Sequence, residues 1–152
     1  MERGEPIRYA QSAVLPYAPE LIFDMVADVE RYPEFLQEYR AVHIRSRDGD
    51  ILHVDQVIGF AVIELTLSAV AKLRRPVSII VYSDHDLLGA LEIRWAFEPA
   101  GAGTRVDFQM ALTPPTRFAA GLADYLLTRS ASRTLQAFVE RAQQVYGRGP
   151  DY

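Results

Sequence analysis

The chain of 152 residues contains no cysteine. Disulfides, thiolate metal sites and cysteine nucleophiles are therefore excluded, and the redox compartment stays open. Histidine is scarce, with three residues, His43, His53 and His85. None has a second ligand at metal spacing, such as a histidine four residues away on a helix. His43 and His53 flank a hairpin and could approach across it, but exposed strand histidines account for them better than a metal site. No apolar run approaches the ~20 residues of a membrane-spanning helix, and the polar start, Met1 to Pro6, lacks the apolar centre of a signal peptide. No serine stands in a G-x-S-x-G context. Gly101 and Gly103 fall between two strands with no helix N-terminus behind them, which excludes a phosphate-binding loop. Asp84-His85-Asp86 sets acids beside an imidazole, but neighbours in a loop point apart and a relay is not indicated. Asp24 and Asp28 share a helix face, where solvation explains them better than a carboxylate pair.

What is present is ordinary for one folded domain: 49% hydrophobic and 24% charged residues. The net charge of −4 gives no long-range attraction to phosphate backbones, so nucleic acid is not an expected partner. These features read as a cytoplasmic protein of one domain over residues 1–152, with its core at about 7–147. Peripheral contact with the inner membrane is compatible with them.

The patterning predicts a strand over Pro6–Leu15, ended by Pro16, and a helix opened by Pro19 with Ile22, Phe23, Val26 and Val29 on one face. Asp28 to Pro33 breaks that helix, and Pro33–Leu36 reads as a second short one. Strands follow over Tyr39–Arg47 and Ile51–Ile58, joined by a turn at Asp48-Gly49-Asp50. Gly59-Phe60 reads as a break before a long strand, Ala61–Leu73, whose odd positions are mostly apolar and whose even positions are mostly polar. After the Arg75-Pro76 turn come Val77–Tyr82, a loop over Asp84–Gly89, and Leu91–Phe97. A turn over Pro99–Gly103 leads to a strand carrying Val106, Phe108, Met110 and Leu112 on one side. Consecutive strands with short turns pair antiparallel, and a twisted sheet of seven strands curls. Pro114-Pro115 ends the sheet. Thr116 is placed to cap a helix from Arg117 to Tyr146, stopped by Gly147 and ~45 Å long. The fold class is thus α+β: a curved seven-stranded antiparallel sheet wrapped around one long C-terminal helix, with two short helices after strand 1.

One stripe of that helix, Ala120, Ala123, Leu127, Ala131, Leu135, Phe138, Ala142 and Val145, should face the sheet. A second, Phe118, Leu122, Tyr125 and Leu126, lies on the other side and would meet ordinary packing, a homodimer partner or a bilayer surface. A helix does not fill a deep concavity, so a cavity is expected. Its expected wall is Leu65, Leu67, Trp95, Phe97, Phe108 and Met110 from the sheet, Ala123 and Leu127 from the helix, and Tyr32, Phe35, Tyr39 and Tyr82 around them. Thr66, Ser68, Tyr82 and Arg129 are candidate polar anchors, and no catalytic residue or metal ligand stands out.

The segment Leu15-Pro-Tyr-Ala-Pro-Glu-Leu-Ile-Phe-Asp-Met-Val-Ala-Asp-Val-Glu-Arg-Tyr-Pro-Glu-Phe-Leu36 resembles the opening signature of the coenzyme Q-binding START-like family, within the polyketide cyclase/dehydrase (SRPBCC) superfamily. Trp95-Ala-Phe97 with Gly103-Thr-Arg-Val-Asp-Phe108 resembles its second signature, and Ala137-Phe-Val-Glu-Arg-Ala142 its closing one. The likeness runs from about Ile7 to Gly147. It implies a helix-grip fold, no cofactor, and a hydrophobic guest: a polyprenyl quinone, another lipid or a polyketide. In the quinone-binding branch a Pro-Trp pair usually stands where this chain has Gln37-Glu38, which makes the mouth more polar here. Three functions follow. The first is a non-enzymatic carrier. The second is a cyclase or dehydratase using Tyr32, Tyr82, His85 or Arg129. The third is an interaction module without a ligand, working through Phe118, Leu122 and Tyr125.

Overall fold

Seven antiparallel strands form one sheet in the order β1-β7-β6-β5-β4-β3-β2. The computed structural model describes residues 5–60, 62–117 and 119–147, without the side chains of Phe60 and Leu126. The elements run β1 (Ile7–Leu15), α1 (Pro19–Ala27), a 3-10 helix (Val29–Glu34), β2 (Tyr39–Asp48), β3 (Ile51–Phe60), β4 (Ile63–Arg74), β5 (Ser78–His85), β6 (Gly89–Ala100), β7 (Gly103–Thr113) and α2 (Ala120–Tyr146). This is the curved sheet with a long C-terminal helix expected from the alternation.

The β6–β7 hairpin shows why that alternation was reliable. The ladder runs from Ala90 opposite Thr113 to Ala100 opposite Gly103, so Trp95 faces Phe108 and Phe97 faces Val106 on the buried side. Pro99, Ala100 and Gly103, expected in the turn, belong to the ladder; only Gly101 and Ala102 turn, with Gly101 at φ 60°. Other boundaries differ for the same reason, that hydrogen bonding continues past the residues that look like breakers. Gly59 and Phe60 stay paired, opposite Glu64 and Ile63. Asp84 and His85 end β5 opposite Ala90 and Gly89. Gly89 itself must be glycine: its φ is 97° and a Cβ would run into the Thr113 carbonyl. The peptide Arg75-Pro76 in the β4–β5 turn is cis. The register sets His43 opposite Asp55 and His53 opposite Ser46, so the two histidines do not face each other. His43 instead lies 3.5 Å from the Glu30 carboxylate.

The second short helix falls earlier than expected, over Val29–Glu34 with Pro33 inside it. A 3-10 segment of this length has few internal bonds to lose, so the missing proline N–H is tolerated. α1 buries Ile22, Phe23, Met25 and Val26, and Phe23 meets Phe97 edge-on at 5.8 Å. Arg75 holds α1 from outside through two hydrogen bonds to the Asp24 carboxylate, 2.7 and 2.9 Å.

Helix α2 starts three residues later than the sequence suggests. After Pro114-Pro115 the chain makes a tight turn in which Ala120 N–H donates to Arg117 O (3.2 Å), and regular spacing begins with Ala123 N–H to Ala119 O (3.0 Å). Thr116 Oγ1 caps this turn by accepting from Ala119 N–H at 3.1 Å. Ala123, Leu127, Ala131, Leu135, Phe138 and Ala142 are buried against the sheet. Val145 is not; it is 50% exposed. At about 3.6 residues per turn, position 146 lies closer to the line of Ala142 than position 145 does. Tyr146 takes the inward place, donating to Leu21 O at 2.8 Å beside Tyr17. On the opposite side Leu122 and Tyr125 are 36% and 58% exposed. Phe118 and the Leu126 side chain lie outside the described residues. No helix among the described residues is long and apolar enough to cross a membrane.

Candidate functional site

The sheet and α2 do not close on each other completely. An inner chamber of about 60 Å³ lies beneath the 3-10 helix, and an outer one of about 70 Å³ lies towards the β5–β6 turn. Tyr39, Gln56, Ile93, Met110 and Ser130 line both, so the two meet there. Each is large enough for several waters. Both are narrower than the ~300–1,000 Å³ typical of sites that enclose a drug-sized molecule.

The inner wall is aromatic because rings from β6 and from the 3-10 helix and its C-cap meet Phe138 of α2. Trp95 approaches it at 4.8 Å, Tyr32 at 5.3 Å and Phe35 at 5.0 Å, all edge-on. Phe108 stacks obliquely on Trp95 at 4.7 Å. The space beside this cluster exists because β4 presents Ala69 and Ala71 where neighbouring strands present larger groups. Of the residues expected at the wall, Tyr32, Tyr39, Trp95, Phe108 and Met110 line the inner chamber. Leu67 and Leu127 line the outer one. The others lie elsewhere. Phe97 shares the inward face but packs under α1. Leu65 and Ala123 are buried away from both chambers. Phe35 covers Phe138 from outside beneath the Arg141 guanidinium. Tyr82 points to the outer face of β5, under Lys72.

The expected anchors Thr66, Ser68 and Arg129 are exposed on outer surfaces, and Ser68 donates to Asp55. Gln37 and Glu38 lie in a surface groove beside Arg133 and Glu140, outside the chambers. Besides the tyrosines, the polar side chains that border the cavity are Gln56, Ser83, His85, Ser130 and Thr134. Two of these hydroxyls are satisfied internally: Ser83 donates to Ser68 O and Thr134 to Ser130 O, both at 2.9 Å. The signal that would have found Gln56 is its parity, since Leu52, Val54, Gln56 and Ile58 share the inward face of β3.

Proton chemistry has little support in this lining. Among the described residues no aspartate, glutamate, lysine or arginine borders either chamber. The Tyr32 hydroxyl donates to the Val26 carbonyl. Burial, with the nearby Tyr39 and Asp28, raises its pKa well above the usual tyrosine value. Burial, reinforced by Glu38, pushes Tyr39 up to about 12. Both remain neutral phenols near neutral pH. His85 Nδ1 accepts from the N–H groups of Leu87 (3.0 Å) and Leu88 (3.3 Å), which leaves the proton of the neutral ring on Nε2. The Nδ1 lone pair of His85 is therefore engaged by backbone. Among the described residues no cluster of three histidines or carboxylates could hold a metal.

The tyrosine shifts give a stability prediction with a definite sign. A group whose folded pKa is raised stabilises the fold fully below its unfolded pKa, and that contribution is lost as pH rises towards the folded value. Unfolding free energy should therefore fall between about pH 10 and 12 as Tyr32 and Tyr39 are drawn to ionise. Urea titrations across this range should show a shallower fall in Tyr39→Phe; an equal fall in both proteins contradicts the assignment.

The mitochondrial coenzyme Q-binding protein of Schizosaccharomyces pombe is 25% identical over 142 residues, 89% of this chain and 86% of that protein. The ribosome association toxin RatA of Pseudomonas aeruginosa is also 25% identical, over 90% of this chain and 96% of its own length. Among solved structures, the ZhuI aromatase/cyclase of Streptomyces sp. R1128 superposes with a TM-score of 0.81 over 92% of this chain and 95% of that one, at 14% identity, a likeness of fold. The profile of polyketide cyclase / dehydrase and lipid transport proteins matches residues 15–139, most of the strands and α2 down to Val139. The chain belongs to the polyketide cyclase / dehydrase and lipid transport family, with the helix-grip fold of START-like proteins.

Proposed function

We propose that the chain binds and carries a hydrophobic small molecule, a polyprenyl quinone or another lipid, between its sheet and α2. The observation that carries this reading is the chemistry of the lining: aromatic and aliphatic side chains, a few neutral hydrogen-bonding groups, and no formally charged acid or base among the described residues. Such a wall removes apolar surface from water at about 25 cal/mol per Å², enough to hold a greasy guest without any chemistry on it. The Schizosaccharomyces pombe relative is a coenzyme Q-binding protein, which agrees with this class of guest.

A cyclase in the same cavity needs a positioned acid or base. Tyr32 and Tyr39 hold their protons too firmly, His85 has its free lone pair engaged, and Tyr82 and Arg129 lie outside. The net charge of −4 weighs against a ribosomal RNA surface as the partner. The test is native mass spectrometry of the purified protein, followed by solvent extraction. The carrier reading expects a co-purifying apolar molecule, or saturable uptake of added quinone. Recovery of none, with no uptake, contradicts it.

A further inference from the structure

The inward face of β3 is apolar at Leu52, Val54 and Ile58, which are buried. Between them stands Gln56, opposite Leu67 of β4 and Val42 of β2. Gln56 is half-buried, and among the described residues no fully buried side-chain N or O lacks a partner, so its amide borders open space rather than packed hydrocarbon. No hydrogen bond joins the Gln56 amide to another described residue, and the side chain borders both chambers. The Tyr39 hydroxyl, from the neighbouring strand, likewise has no hydrogen bond to another described residue, and it borders both chambers too. Ser130 reaches the same junction from α2, on the opposite wall. The two greasy chambers thus meet at a waist whose uncharged polar groups come from three separate elements, beside the apolar Ile93 and Met110.

We infer that this waist is the recognition element of the cavity and selects guests that carry neutral ring oxygens, carbonyl or hydroxyl, flanked by apolar groups. This rests on the carrier reading and narrows its ligand class. A carboxylate or phosphate head meets no lysine or arginine among the described lining residues, so fatty acids and phospholipids are poor fits. A pure hydrocarbon leaves the Gln56 amide unanswered. Glutamine, tyrosine and serine each both donate and accept. The waist can therefore donate to the carbonyls of an oxidised ring and accept from the hydroxyls of a reduced one, which makes the site tolerant of redox state.

The test compares the wild type with Gln56→Leu and Ser130→Ala, using a short-tailed benzoquinone, its hydroquinone and an alkylbenzene of the same length. Each variant should weaken quinone and hydroquinone binding about five- to ten-fold, the effect of one hydrogen bond, and leave alkylbenzene binding unchanged or tighter. Equal loss for all three compounds, or no loss for any, overturns the waist while leaving the cavity in place. A wild type that takes up none of the three overturns the carrier reading itself. Ser130→Ala, a small change on a helix, keeps the test valid if Gln56→Leu alters the sheet.

Discussion

Replacing Ala69 with leucine should abolish guest uptake and leave the protein folded. Ala69 lies on β4, paired with Val54 and Ser83, and its side borders the inner chamber. Leucine adds three carbons on the wall of the inner chamber. In a filled core such an insertion forces strained rotamers and costs about 1–3 kcal/mol. In a void the added carbons gain burial, about 0.8 kcal/mol each at most. The chamber of about 60 Å³ takes part of the new group, so the two effects offset. Chemical denaturation should show a stability change within about 1 kcal/mol of zero. Affinity for a quinone should drop at least ten-fold, because the guest and the leucine claim the same space. Wild-type affinity combined with a loss of several kcal/mol would mean that the interior is solid there and the guest sits elsewhere.

Truncating Phe138 to alanine should produce the largest loss of stability in the domain. Its ring touches those of Tyr32, Phe35 and Trp95, and through them it ties the 3-10 helix and β6 to α2. Removing a buried phenylalanine typically costs about 3–5 kcal/mol. Domains of this size have about 5–15 kcal/mol in all, so the variant approaches the threshold of folding. Urea unfolding should show a lower midpoint with an unchanged slope. The vacated ring also enlarges the inner chamber. A small apolar compound such as toluene should therefore raise the melting temperature of the variant more than that of the wild type. A loss below about 1 kcal/mol would contradict the role given to this aromatic cluster.

Much of the fold was legible because two periods dominate the sequence. The alternation of Leu91, Ile93, Trp95 and Phe97 against Glu92, Arg94 and Glu98 sets both the strand and its buried side, and the stripe from Ala123 to Ala142 does the same for α2. Strand ends were less legible. Gly59 and Gly103 look like breakers, yet each continues a ladder, because backbone hydrogen bonding does not depend on the side chain.

The cavity was only half legible for a geometric reason. Periodicity tells which way a side chain faces but not how far along the strand the helix stands away. Phe97 and Trp95 share a face, yet α1 covers one and the inner chamber borders the other. Tyr82 has the wrong parity: Ile79, Val81 and Ser83 point inward on β5 and Tyr82 points out. Gln56 is hard to find in the sequence because a polar residue in an apolar alternation looks like an interruption. In the folded sheet it is the amide at the junction of two chambers.

The most direct test of the account uses Trp95, the only tryptophan in the chain, buried in the wall of the inner chamber. Quinone rings accept electrons from excited indole and quench its emission at short range. Titration of the wild type with a short-tailed benzoquinone should quench Trp95 fluorescence along a saturating curve, and Ala69→Leu should remove the saturating phase. Emission that stays unchanged while the quinone binds by another measure, or that falls linearly and identically in both proteins, would contradict a guest held between the sheet and α2.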